Sequence, residues 1–516
     1  TPPVAGPGAP DDRIMQLGQL FAGVIEEGLR IYGADPIGTT PAASPGPASL
    51  PVSPPRPLDD EPVVVTGAAL GLPGVEHVFD EANIGRILAG EQFISSLPEA
   101  ARIRMAERRI RRLVMSESGG GSFETIDDPA DVIKLAGLHA PIDVVEQFAV
   151  ESARDEAFDS TTRLAIGAGY DALRDAGIPL VMRYKTTTLG TQLQNGWGLP
   201  DELRDDTGVV FASAFPGYDR YAEEIEAYTA DRTRREHLLA LEGVRTRLAG
   251  DAAATAEIDH LIADLRAELD ANPYEFDRRF LFRVLSMGHS QFAEIIGARG
   301  PNTQINAACA STTQAIAVAE DWIRSGRCRR VIVVSADDAT GDALLPWLTS
   351  GFLASGAAAT DERVEDAATP FDRGRHGMIV GMGAASLVIE AAGAARERGV
   401  QPICEVLGAV TANSAFHGTR LDVEHIGAVM DAVVRQAESR GIDRSAIAGE
   451  TMFVSHETYT PARGGSAAAE INALRQVFGD HADQVVITNT KGFTGHAMGA
   501  GIEDVVAVKA LETGIV

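Results

Sequence analysis

Three segments of the chain carry residue types that could do covalent chemistry together. Asn306-Ala307-Ala308-Cys309-Ala310-Ser311-Thr312-Thr313 sets one cysteine among small residues, directly before a helical run from Gln314 to Trp322. Small neighbours let a substrate carbonyl approach. A cysteine at a helix start feels the positive end of the helix dipole, which favours the thiolate. The first N–H groups of such a helix are unpaired and can hold an oxyanion. Taken alone, a buried structural thiol is the commoner outcome for a cysteine. Two further segments follow buried apolar runs and carry histidines: Ser455-His456-Glu457-Thr458-Tyr459-Thr460-Pro461 and Asn489-Thr490-Lys491-Gly492-Phe493-Thr494-Gly495-His496. A histidine just past a strand of an α/β fold sits where sites are usually built. One such histidine is most often structural. Two of them with Cys309 form a Cys/His/His set suited to acyl transfer, although spacing alone leaves open whether they meet.

The elements that must position these residues are legible as alternating strands and helices. Short apolar runs at Val63–Gly67, Gly208–Ala212, Arg330–Ser335, Ala385–Ile389, Met452–Ser455 and Val485–Thr488 read as buried strands. Ser160–Ala176 and Ser311–Arg324 read as helices between them, which makes an α/β body with layered sheets. Tyr221 to Ala271 is rich in Glu, Arg, Ala and Leu, broken at Gly250-Asp251 and stopped by Pro273. This predicts an inserted antiparallel helical hairpin, with structural decoration favoured over partner docking. Ahead of the body, Ile14, Leu17, Phe21, Val24 and Ile31 form a helix stripe within residues 1–35, read as a docking or dimerising helix or as a helix packed on its own domain. Residues 36–62 form a Pro/Ala/Ser-rich linker.

Composition narrows the function. The chain has 516 residues, 45% hydrophobic and 23% charged, which excludes disordered and fibrous classes. A net charge of −28 argues against a nucleic-acid partner. Cys309, Cys328 and Cys404 are odd in number and widely spaced, so neither a disulfide framework nor a zinc site is expected, and a reducing, cytoplasmic setting is. No apolar run is long enough for a membrane span. The chain begins at Thr1 without Met, as a piece of a longer protein would.

These segments, taken with others, resemble the β-ketoacyl synthases of thiolase fold, especially the ketosynthase domains of polyketide and fatty acid synthases. Glu61–Gly67 resembles the opening strand, with Leu72-Pro73-Gly74 as the turn after it. Phe158–Leu164 through Asp171–Ile178 resembles the "DPQQRL…ALEDAGI" helix. Ala308-Cys309-Ala310-Ser311 matches "ACASS", and Phe371–Met378 resembles "FDxxRDGF". His456-x-Thr458-x-Thr460-Pro461 matches "HGTGTP", and Lys491 to His496 matches "KxxxGH". The motifs keep the family order from Glu61 to Val516.

The resemblance implies a layered α-β-α-β-α fold of two similar halves, at 63–390 (with the hairpin at about 221–271) and 391–516. It implies that Cys309 is acylated, that His456 and His496 bind the extender and assist decarboxylation, and that Lys491 supports His496. Thr458 and Thr460 would line the tunnel for the phosphopantetheine arm of an acyl carrier protein. No metal or directly bound cofactor is implied. A homodimer and neighbouring synthase domains are. The family's Gly-Phe-Gly-Gly loop, which lies well beyond the second histidine, is not reached by Val516, so the last part of the fold is expected to be missing.

Several positions depart from the pattern. Met382 replaces the Glu of "GEGA", His376 and Met378 replace the Asp and Phe of "RDGF", and Glu457 and Tyr459 replace the glycines of "HGTGTP". A divergent branch with an altered acyl or pantetheine channel is expected. A degradative thiolase would need a second cysteine in a C-terminal loop, and a non-catalytic scaffold would not need Cys309, His456 and His496. Finally, Arg102, Arg104, Arg108, Arg109, Arg111 and Arg112 gather around the single acid Glu107. This cluster reads as a solvated helix face in preference to a carrier-protein dock.

Overall fold

The computed structural model describes residues 61–115, 121–248, 250–285, 287–415, 421–460 and 465–516. The expected helix at 1–35 and the linker up to residue 60 lie outside the described residues. The strands used below are β1 (Val63–Gly71), β2 (Leu135–Gly137), β3 (Thr207–Ala212), β4 (Asn302–Ile305), β5 (Arg330–Asp338), β6 (Val380–Ala391), β7 (Cys404–Glu405), β8 (Met452–Val454) and β9 (Val486–Thr488). The helices are α1 (Ser160–Asp175), α2 (Tyr218–Arg247), α3 (Ala252–Ala271), α4 (Ser311–Arg324), α5 (Val423–Glu438), α6 (Gly465–Phe478) and α7 (Ile502–Thr513).

The main sheet runs β7-β1-β6-β5-β3-β4, with β2 pairing alongside β6. β3, β4 and β5 are parallel, and β6 is antiparallel to β5 and to β1. Both faces of this sheet are buried, so its strands read as continuous apolar runs rather than alternating ones. Side chains nevertheless alternate between two cores. Ile332, Val334 and Ala336 join the cluster around α1, whereas Val331 and Val333 join the cluster around α4 and α7. On the far side of α7, β8 and β9 form a parallel pair. That pair is covered by α5 and α6 through Met430, Val434, Leu474, Val477 and Phe478. The order α1, main sheet, α4 with α7, β8–β9, α5 with α6 gives the expected five layers.

The predicted hairpin is present as α2 and α3, three residues longer at its start than the sequence suggested. Gly217, with φ 76°, turns the chain into α2, and Asp251 caps α3 by accepting from Ala253 and Ala254 N–H. Only Ile262 and Leu269 of α3 are buried, and the two helices are bridged by Arg234–Glu268, Arg245–Asp259 and Arg266–Glu242. The arginine cluster differs from its expected form as one helix face. The helix Glu99–Ala106 ends before Arg108, the chain turns at Arg109 (φ 49°), and Arg111 and Arg112 lie on the strand Ile110–Met115. Arg104, Arg109 and Arg112 each face an acid, namely Asp342, Asp127 and Glu124. Among the described residues no helix is long and apolar enough to cross a membrane.

At the β5–β6 end of the sheet, Glu390 is fully buried between Arg330 (2.6 Å) and Arg398 (2.5 Å) and accepts a hydrogen bond from Thr66 Oγ1 (2.7 Å). Removing one member of a buried ion cluster strands the others. Glu390→Ala is therefore expected to lower the unfolding free energy by about 3–5 kcal/mol in denaturant titration. A loss below ~1 kcal/mol would show that water reaches Arg330 in the folded state.

Candidate active site

Parallel strands place their C-terminal ends together, and the reactive segments leave from those ends. The cysteine turn follows β4. Ser213–Phe215 follow β3, and Asp337 and Asp338 close β5. His456 follows β8. His496 follows β9 after the single helical turn Lys491–Thr494. Each turn has its own local fastening. Ala308 takes a left-handed φ of 50°, which throws Cys309 outward just before α4 begins at Ser311. Asn306 Oδ1 accepts from Ala308 N–H (3.1 Å), and Ser311 Oγ accepts from Ala307 N–H (2.9 Å). Glu470 of α6 accepts from His456 N–H (2.8 Å) and Ser455 Oγ (2.6 Å). His496 is held like a strand residue: its N–H donates to Ile379 O (2.7 Å) and its O accepts from Gly381 N–H (3.0 Å). Gly495 must be glycine here, since its φ is 71° and a Cβ would lie 2.6 Å from Val380 O.

These fastenings bring four of the six expected residues into one cavity of about 140 Å³, lined by Cys309, His456, Lys491, His496, Glu503 and Asp504. Cys309 Sγ lies 3.0 Å from His496 Nε2. The His456 and His496 rings meet edge to face with centroids 5.6 Å apart. Lys491 is buried, and its Nζ donates to Glu503. Thr458 and Thr460 are not among the residues lining this cavity; their hydroxyls face each other at 3.2 Å on the turn beyond His456. A larger cavity of about 470 Å³ lies at the opposite end of β5, among Arg329, Arg330, Arg398 and Glu397, and has no nucleophile.

The electrostatics differ from the sequence expectation at Cys309. A helix start was expected to favour the thiolate. In the structure the protein packed around the pocket raises the Cys309 thiol, although the residue is exposed at the pocket mouth; Lys491 opposes this, and the carboxylates of Asp337 and Glu503 reinforce it. The imidazoles move the other way. Burial first, then the Lys491 ammonium, lowers His456 to about 4, although its ring opens onto the pocket mouth, and lowers His496 well below the ordinary value. The raised thiol and lowered imidazole favour an uncharged pair at rest, a thiol beside a neutral ring. Cys328 and Cys404 are pushed up to about 12 and about 11 by burial and behave as ordinary thiols.

Sequence reasoning missed three acids. Glu503 and Asp504 open α7 and line the pocket, and Asp504 is raised to about 7 by burial and by Glu503. Asp337 is fully buried beneath the turns. A pair of acids closing an apolar strand, Asp337-Asp338, was the available signal.

Comparison with known proteins follows the same geometry. Residues 262–395 match the N-terminal domain, and residues 403–516 the C-terminal domain, of β-ketoacyl synthases. Both β-ketoacyl synthase domains are thus matched, in family order, within residues 262–516. It is 32% identical over 238 residues to 3-oxoacyl-[acyl-carrier-protein] synthase I, chloroplastic, of Arabidopsis thaliana, covering 45% of this chain and 47% of that one. It is 30% identical over 231 residues to 3-oxoacyl-[acyl-carrier-protein] synthase 2 of Staphylococcus aureus, covering 44% and 55%. The chain thus spans about half the length of these relatives. Similar solved structures include a β-ketoacyl synthase from Burkholderia phymatum (TM-score 0.59, 18% identity, 87% of this chain and 86% of that one). Another is a type II PKS acyl-carrier protein in complex with its ketosynthase (TM-score 0.57, 19% identity, 89% and 87%). The family match starts at residue 262, whereas the structural likeness covers 89% of the chain and so reaches well ahead of it. The ketosynthase fold therefore extends over both sheets.

The pocket electrostatics are open to a direct check. In an NMR titration of the ring shifts, His456 should titrate near 4, and His496 should stay neutral well below ~6.5. Lys491→Met removes a cation that disfavours imidazolium, so both midpoints should rise while burial keeps them below the free value. A wild-type midpoint near ~6.5 for either ring would mean that the ring is hydrated.

Proposed function

We propose that this ketosynthase condenses an acyl group held on Cys309 with a malonyl-type thioester delivered by an acyl carrier protein, losing carbon dioxide. The observation that carries this reading is a cysteine 3.0 Å from one imidazole, with a second imidazole against the first, in a single pocket. In the first half-reaction, His496 Nε2 takes the thiol proton as Sγ attacks the incoming thioester carbonyl. The pantetheine sulfur leaves and receives that proton, so the ring is neutral again. In the second, the malonyl C–C bond to the carboxylate breaks. Carbon dioxide departs, and the electron pair becomes an enolate whose oxyanion is stabilised by N–H groups of His456 and His496. The enolate carbon attacks the acyl-Cys309 carbonyl, the C–S bond breaks with its electron pair left on Sγ, which takes up a proton from water to restore the thiol, and a 3-oxoacyl chain two carbons longer remains on the carrier.

Neutral rings suit both steps, since a neutral imidazole can accept at one nitrogen and donate at the other. Lys491 acts by keeping them neutral. Thr458 and Thr460, on the turn beyond His456, are assigned to the pantetheine arm. The phosphopantetheine belongs to the carrier, and one structural neighbour is a ketosynthase in complex with its acyl-carrier protein. A homodimer is supported by the open outer edge of β4 and by exposed Leu281, Phe282 and Leu285 near it in sequence. The halves 63–390 and 391–516, the preceding helix and linker, and a place in a multidomain cytoplasmic synthase complete the reading. The three unpaired cysteines fit that setting.

The half-reactions separate the roles. Cys309→Ala should abolish acyl-enzyme formation, scored by intact mass, and condensation, while retaining some malonyl decarboxylation. His496→Ala and His456→Ala should keep acyl transfer to Cys309 but lose decarboxylation by roughly 10²–10³, the cost of a lost oxyanion donor. Normal condensation by Cys309→Ala, or normal carbon dioxide release by His496→Ala, would overturn the assignment.

A further inference from the structure

Cys309 and His496 approach from loops 187 residues apart. One carboxylate lies beneath both. Asp337 Oδ2 accepts from Gly499 N–H (2.6 Å) and Ala214 N–H (2.9 Å). Its Oδ1 accepts from Ser213 Oγ (2.8 Å), Phe215 N–H (2.9 Å) and Ala214 N–H (3.1 Å). Gly499 is three residues past His496. Ala214 reaches the cysteine turn, because its carbonyl accepts from Asn306 Nδ2 (2.9 Å), and Asn306 in turn orders Ala308. A second strap returns from the cysteine helix, where Thr312 Oγ1 donates to Gly499 O (2.6 Å). The packing around Gly499 is closed: a Cβ there would lie 2.8 Å from Asp337 Oδ2, 3.0 Å from Ala214 N and 3.2 Å from Ala308 O.

We propose that Asp337 is a positioning residue for condensation, holding the histidine loop through Gly499 and the cysteine turn through Ala214 and Asn306 so that Sγ and Nε2 stay in contact. The proposal deepens the ketosynthase reading and rests on it. Asp337 is fully buried and touches neither Cys309 nor His496 by any hydrogen bond described above, so it acts through backbone. Five donor contacts on two oxygens require an acceptor at both positions. An asparagine supplies one oxygen and turns an N–H₂ toward donors on the other side. The carboxylate also faces the thiol as a negative charge, together with Glu503 and against Lys491. The remaining titratable groups at the pocket are His456, His496 and Asp504.

The test uses the full chain. Iodoacetamide alkylation is followed across a pH series with each cysteine mapped by mass, buried Cys328 reporting unfolding. Condensation of an acyl group on Cys309 with malonyl-carrier supplies kcat and KM. Asp337→Asn is expected to lower kcat by roughly 10²-fold, the scale of a misplaced reacting group, at unchanged KM. It should also shift Cys309 alkylation to lower pH, because a negative charge has left, while Cys328 stays protected. Thr312→Val, which cuts the second strap without changing charge, should lower kcat and leave the alkylation midpoint in place. Wild-type kcat in Asp337→Asn overturns the proposal, and so does a kcat loss accompanied by Cys328 exposure with Thr312→Val unaffected. Where Asp337→Asn does not fold, Thr312→Val decides: wild-type kcat overturns, and a drop at unchanged KM supports. If wild-type protein neither decarboxylates nor forms an acyl-Cys309, the ketosynthase reading fails. The alkylation profiles then still decide whether Asp337 holds the turn.

Discussion

The contact between Cys309 and His496 is the constraint that organises this protein. A thiol and an imidazole must meet at hydrogen-bond distance although one leaves the main sheet and the other leaves the small one. Layering makes this possible. α4 and α7 are sandwiched between the sheets, α7 packing on β1 and β6 and touching β8. The ends of β4 and β9 therefore open onto the same space. His496 is itself stitched to β6 by two backbone hydrogen bonds, so its loop is registered against the sheet that carries the nucleophile. Error in that register would be amplified at the reacting atoms, where sub-ångström placement matters.

Burial of charge is what this arrangement costs, and the compensations are visible. Lys491 is almost wholly enclosed and is matched by Glu503 at the start of α7. Separating such a pair leaves an uncompensated buried ion. Its field reaches every reactive group: it lowers both imidazoles and acts against the packing that raises the thiol. Asp504 and Asp337, raised to about 7 and about 6, add acids that titrate near neutrality inside the same region. The pocket is thus electrostatically mixed rather than strongly cationic, and its imidazole donors are neutral.

The departures from the family pattern become physical once their surroundings are seen. Tyr459 stands where the family carries glycine, and its φ of 62° shows why glycine suits the position. The strain is offset by deep burial and by the hydrogen bond from Tyr459 Oη to Asn489 Oδ1 (2.7 Å). Glu457, at the other glycine, is fully buried against Arg375 (2.9 Å) and accepts from Ser466 Oγ. These contacts tie the turn after β8 to the loop at 371–378. Met382, where the family has glutamate, sits in the core around α1, and its sulfur accepts from Ala140 N–H (3.0 Å). Each change exchanges flexibility or charge for packing around the same reactive set.

The sequence by itself determined six of the strands, the limits of α1 and α4, and Cys309, His456, Lys491 and His496 as candidates, because these depend on local apolar runs, turn residues and short motifs; β2, β4, β7 and α5 to α7 were not read from it. The hairpin was readable for the same reason, its leucines and its break at Gly250-Asp251 being local. The arginine cluster was misread as one face because a left-handed Arg109 cannot be foreseen from charge spacing. The thiol's raised state was hidden too: a helix start is local, whereas packing and the opposing charges of Asp337, Glu503 and Lys491 come from distant segments. Only the tertiary structure decided that Asp337 lies under both loops and that Thr458 and Thr460 lie off the cavity. Side-chain burial and through-space fields depend on how layers stack, and no local pattern encodes that.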